Sequence, residues 1–290
     1  MAGELLSTGA MGIPPGHLIV SAIALLLSAC GAVGWSPSDG EGAIADPARG
    51  AQLAVRIRAS TAPFPHLDGL AGQTAIAAVG GARSLQLLRF RGDPDPVRLF
   101  DHGPRAVEVD YNDGGDTLVA TVPAARLRPG IYVLARLVHS HSRYRVAATG
   151  HAGFAATPGV LDNLVVMSDR ALVDGVLRDG GYYESTFTGP RGAPVRTVGD
   201  DYHVPEWSTT AGAQAFVEEG EWAVYFPVLL TVHGLPDRDA TLAIDVNLDH
   251  AFRWVDLPLP TYRPGAFDVT PSWYEPVIRF GGNWFTAALD

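Results

Sequence analysis

From residue 51 onward, apolar side chains recur at every second position. Leu53, Val55, Ile57 and Ala59 alternate with Gln52, Ala54, Arg56, Arg58 and Ser60. Successive side chains of an extended strand point to opposite faces, so this pattern buries one face and wets the other. Similar signals, bounded by Gly, Pro, Asp or Asn, predict strands at 84–90, 96–101, 105–111, 117–123 and 131–139, then at 143–149, 161–167, 181–187, 222–233, 241–254, 277–280 and 283–288. The stretch Tyr111-Asn112-Asp113-Gly114-Gly115-Asp116-Thr117 reads as a hairpin between two of them. Only 170–178 and 211–219 have a short helical pattern, and Gly175 interrupts the first. Many short, one-sided strands joined by turns imply an all-β chain, an antiparallel β-sandwich. It is either continuous or made of two packed β subdomains that divide near 153–160.

With 47% hydrophobic and 18% charged residues, the chain can bury a full core. Its formal charge of −10 opposes a nucleic-acid backbone as partner. All 21 basic residues are Arg, which excludes lysine Schiff-base chemistry.

The N-terminal part has a different character. Leu18 to Leu27 is an uncharged apolar run of signal-peptide length, too short to span a bilayer as a helix. It ends in Leu27-Ser28-Ala29-Cys30-Gly31, which contains the only cysteine. The tetrapeptide Leu27 to Cys30 resembles the lipobox of bacterial lipoproteins. That resemblance implies a signal peptide over 1–29, a diacylglycerol thioether on Cys30, cleavage before it, and a lipid bilayer as partner through this anchor. It also implies a place in the cell envelope, with Gly31 pointing to the outer membrane, facing the periplasm or the cell surface. The preceding segment carries Glu4 and no Arg or Lys, against the usual positive start of a signal peptide, which leaves Met1 and Met11 as alternative starts. Residues 30–50, rich in Gly, Ala, Pro, Ser and Asp, read as a lipidated cysteine and flexible tether before a folded domain at 51–290. With Cys30 modified, no disulfide or thiolate chemistry remains.

Leu127-Arg128-Pro129-Gly130-Ile131-Tyr132 and Tyr262-Arg263-Pro264-Gly265-Ala266-Phe267 share R-P-G followed by a small or apolar residue and an aromatic. The first copy resembles the L-x-P-G-x-Y strand start of exported Ig-like and prealbumin-like sandwiches. That likeness implies an architecture and no activity.

Three constellations are candidates for binding. If strand 131–139 runs on, His139 and His141 share a face, and with His151 they form a candidate set for zinc or copper. The bland alternative is a polar strand end. Asp245-Val246-Asn247-Leu248-Asp249 imitates the opening of a calcium loop, with Asp256 at its last ligand position, although His250 replaces the required Gly. Aromatic residues crowd the C-terminal region, where Trp254, Tyr262, Trp273, Tyr274 and Trp284, with Asp256, are candidates for stacking and hydrogen-bonding a carbohydrate or other flat ligand. Nucleophile-elbow, zinc-protease, P-loop and dinucleotide signatures are absent. Glu206, Glu218, Glu219 and Glu221 leave a glycosidase pair open without setting its separation. The expectation is therefore an envelope-anchored binding or structural module without a resident cofactor, with a carbohydrate or a protein of the envelope as candidate partner. A metal-handling protein and a hydrolase on a β scaffold are the alternatives.

Overall fold

The alternation at 53–59 is realised in strand Gln52–Ser60, where Leu53, Val55 and Ile57 are fully buried and the residues between them part-exposed. The computed structural model describes residues 50–290 apart from 152–155, 235–236 and 272. The signal segment and Cys30 therefore lie outside the described residues. What is described is all-β, with packed, mainly antiparallel sheets. Among the described residues, the turn Ala124–Arg126 is the sole helical element.

Gln52–Ser60 lies inside a four-stranded sheet in the order Trp284–Leu289, Ala240–Asn247, Gln52–Ser60, Asp116–Pro123. Its pairing with Ala240–Asn247 is parallel, against the antiparallel expectation. Parallel neighbours need a long crossover, and the second sheet fills it.

That second sheet is built on Gly130–Gly150, a single strand of 21 residues where the sequence pattern suggests two. One edge pairs over residues 134–145 with Ala77–Leu88. The other edge changes neighbour part-way, from Glu221–Val232 beside 130–139 to Thr157–Val166 beside 141–150. The changeover falls on His139-Ser140-His141. Ser168 stitches it: its Oγ donates to the His139 carbonyl (2.5 Å) and accepts the Trp222 N–H (2.8 Å). Thr157–Val166 binds back along the central strand, so the sheet is continuous across the suggested division near 153–160.

Three local expectations are corrected. Residues 111–117 do not close a hairpin, because Val107–Asp110 pairs in the large sheet and Asp116–Pro123 in the small one. The segment is a corner between sheets, pinned by Gly114 N–H to the Ala59 carbonyl and by Asp110 N–H to Thr117 Oγ1. Residues 170–178 form the hairpin Ala171–Val173/Val176–Arg178, since Asp174 and Gly175 both take positive φ, as a two-residue turn requires. Gln214–Glu218 is likewise a strand, returned through Glu219 and Gly220 into Glu221–Val232.

Tyr132, in the L-x-P-G-x-Y stretch, is buried and donates its hydroxyl proton to the Arg128 carbonyl at 2.7 Å, fixing the start of the central strand. A smaller sheet of Ala71–Gln73, Phe252–Trp254 and Val277–Arg279 packs Phe252 and Trp254 into the same core.

Candidate functional site

Between the two main sheets lies a cavity of about 240 Å³. One wall comes from Glu221–Val232, where Trp222 and Val224 stand two apart on the same strand face. Trp222 stacks on Phe280 with rings 6.4 Å apart and 5° from parallel, and meets Trp207 at 6.0 Å edge-on. Phe285 closes the side of the small sheet. The mouth is wetter: Ile76 and Asp113 are exposed, and Thr61 and Thr74 are half-buried.

Two polar rings penetrate this apolar space. Tyr111, delivered by the inter-sheet corner, is hydrogen-bonded through its hydroxyl to His139 Nε2 at 2.7 Å. His139 also meets Trp222 edge-on at 5.7 Å. Gly80 makes room for the pair, because a Cβ there would lie 2.6 Å from the Tyr111 ring. Burial pushes the His139 pKa down to about 4, helped by nearby His141, and raises that of Tyr111. Both rings are therefore neutral near pH 7, which keeps the cavity free of charge at its polar end.

The structure separates the three histidines of the candidate metal set. Gly80 pairs with Ser142 and Ala82 with His139, so two residues, Ser140 and His141, oppose the single Gly81. Such a bulge reverses the alternation. A Cβ at Gly80 would approach Tyr111 and His139, whereas one at Gly81 would strike Ser140 Oγ (2.2 Å) and His141 Nδ1 (2.6 Å). His139 and His141 consequently occupy opposite faces rather than one. His141 is bonded to Ser140 Oγ at 2.8 Å, lies 3.8 Å from Glu108, and has its pKa lowered by burial and then by Arg143. His151 is bound to the fully buried Asp268 at 2.5 Å and stacks on Tyr262 at 4.8 Å.

The aromatic platform is also dispersed. Trp254 is 1% exposed and packs in the core against Phe252 and Phe267, so it cannot stack on a sugar. Tyr262 is taken up by His151. Tyr274 lines a second cavity of about 340 Å³ beside Tyr183 and Phe187, its hydroxyl pushed up to about 12 by burial. Trp284 is part-buried at the start of its strand, and Trp273 lies in strand Trp273–Tyr274, its side chain outside the described set. Asp256 accepts the Gly265 N–H at 2.8 Å. It is not part of a calcium loop, because Asp245 and Asn247 belong to a paired strand and Asn247 holds the Ala62 carbonyl. Three of the four glutamates are engaged: Glu218 and Glu221 face each other across a hairpin, both ion-paired to Arg136, and Glu206 accepts the Val217 N–H.

Among the described residues, the one trio whose ligand atoms converge is His66, Asp249 and His250, all within 4.8 Å of one another. Sequence reading passed over His66, and over Tyr111 and Trp222 as cavity residues. The alternation Trp222, Val224, Phe226 was the available signal for the wall.

No family model, curated protein or solved structure matches this chain.

Proposed function

We propose that this chain is a lipid-anchored, extracytoplasmic β-sandwich that binds a small apolar ligand, one or two rings in size, between its sheets. The observation that carries the reading is the cavity of about 240 Å³ walled by Trp207, Trp222, Phe280 and Phe285. Apolar cavities near 150 Å³ stay dry and take up benzene, so this one suits an indole- or naphthalene-sized guest. The Tyr111–His139 pair is the polar feature that orients such a guest. A carbohydrate is disfavoured by the wall, which offers aromatic and aliphatic surface where a sugar needs many hydrogen-bond partners.

The anchor rests on the likeness of Leu27-Ser28-Ala29-Cys30 to a lipobox. Several acyl chains, at about 0.8 kcal/mol per buried methylene, hold a domain of this size on a membrane. Cells fed a clickable fatty acid should label the wild type and not Cys30→Ala; an unlabelled wild type removes the anchor. For the cavity, naphthalene titrated calorimetrically should bind the wild type with one-to-one stoichiometry. Val224→Phe, which fills the space from its wall, should weaken that binding at least tenfold while the fold melts cooperatively. Equal binding by both places the ligand elsewhere.

A further inference from the structure

The loops outside the cavity bring together a second set of groups, which neither the anchor nor the apolar site uses. His66 sits in the connection 61–70, and Asp249 and His250 in the turn between Ala240–Asn247 and Phe252–Trp254. The two loops are sewn together. Asp249 Oδ2 accepts the Phe64 N–H at 2.9 Å, Asn247 Nδ2 donates to the Ala62 carbonyl at 2.8 Å, and the His250 N–H reaches Thr74 Oγ1 at 2.8 Å. The Asp249 carbonyl meets His66 Nε2 at 3.0 Å and accepts Asn283 Nδ2 at 2.6 Å. The three side chains are thus positioned by the fold.

We propose that His66, Asp249 and His250 form a site for a zinc-class divalent ion, with two imidazole nitrogens and one carboxylate as protein ligands. His250 Nδ1 lies 2.8 Å from Asp249 Oδ1, and His66 Nε2 lies 3.8 Å from Asp249 Oδ2. Both nitrogens donate here to an Asp249 oxygen, so an ion would take the place of those protons, each ring carrying its proton on the other nitrogen. Ligand atoms around one tetrahedral ion, each about 2.0–2.2 Å from it, stand roughly 3.3 Å apart. Closing this set draws His250, whose side chain is 53% exposed, towards the largely buried His66 and Asp249.

His250 takes the left-handed conformation, φ 45°, at the position where a calcium loop would need glycine. The nearby cations are engaged: Arg253 grips Asp68 and the Leu70 carbonyl, and Arg279 binds Asn283. Two imidazoles with a single carboxylate suit zinc, copper or nickel and not calcium.

The test is calorimetric titration of ZnCl2 into the chelator-stripped full chain, with Co2+ absorption as a second readout. One equivalent should bind, and the Co2+ spectrum should show nitrogen and oxygen ligation. His66→Gln, which keeps a donor for the Asp249 carbonyl, and His250→Asn, which tolerates the left-handed backbone, should each weaken zinc at least tenfold. Exposed His233→Ala should leave it unchanged. The site is overturned if wild type takes up less than half an equivalent, if both variants bind as wild type does, or if Co2+ shows a thiolate band, which would place the ion on Cys30.

Discussion

In the inter-sheet cavity one imidazole, His139, sits buried against Tyr111 and Trp222, whereas on the outer loops two imidazoles flank Asp249, one of them half exposed. Both regions contain histidines whose pKa burial has lowered. The outcome differs because of what lies opposite. His139 faces a phenol and aromatic carbon, so it is fixed as a neutral hydrogen-bonding group. His66 faces a carboxylate and a half-exposed second histidine, the arrangement proposed above to hold a cation. Desolvation alone therefore does not distinguish a binding-pocket histidine from a metal ligand.

The largest effect is expected in the cavity wall. Trp222→Ala removes a side chain that touches His139, Trp207 and Phe280, and should cost about 3–5 kcal/mol in urea unfolding. A loss below about 1 kcal/mol would mean that the wall is not packed as described.

The next effect is a pH dependence. His139 has a folded pKa of about 4 against an ordinary value of 6.5. Below pH 6.5 the unfolded chain binds a proton that the folded chain refuses, so this residue's share of stability is full above pH 6.5 and is lost as pH falls towards 4. The loss should be on the order of 3 kcal/mol. His66 and His141 are shifted in the same direction, and carboxylates titrate in the same window. The informative quantity is therefore the difference between wild type and His139→Gln in unfolding free energy at pH 7 and pH 4.5. A difference that does not change with pH contradicts the buried neutral assignment.

Tyr111→Phe leaves His139 Nε2 without its bond and should destabilise by about 1–3 kcal/mol, read by thermal melting. On the outer side, His250→Asn in metal-free protein should change stability by less than about 0.5 kcal/mol, because His250 is exposed and Asn accepts its backbone. If the outer change outweighs the inner one, the roles assigned to the two regions are reversed.

The legible part of the fold was the part encoded locally. Leu53 to Ala59 shows its strand and buried face directly, and Leu127 to Tyr132 shows the start of the central strand. The 111–117 corner was misread because Asn, Asp and Gly suit a hairpin and an inter-sheet corner equally well; only the pairing of the flanking strands decides. The faces of His139 and His141 depend on a bulge opposite Gly81, a residue far away in sequence. The Gly80-Gly81 pair was its sole sequence trace. Asp249 was visible as an acidic position, but its partner His66 lies 183 residues earlier and is brought near by the parallel pairing of Gln52–Ser60 with Ala240–Asn247. Such convergence has no periodicity to detect.

The proposed binding role requires the space between the sheets to be dry, apolar and open to a guest. Crystals of the protein equilibrated under xenon pressure test it directly. The account predicts a xenon atom bounded by Trp222, Phe280 and Phe285, with the Tyr111–His139 bond intact beside it. Ordered waters hydrogen-bonded through that space, or no xenon within it, would contradict the account.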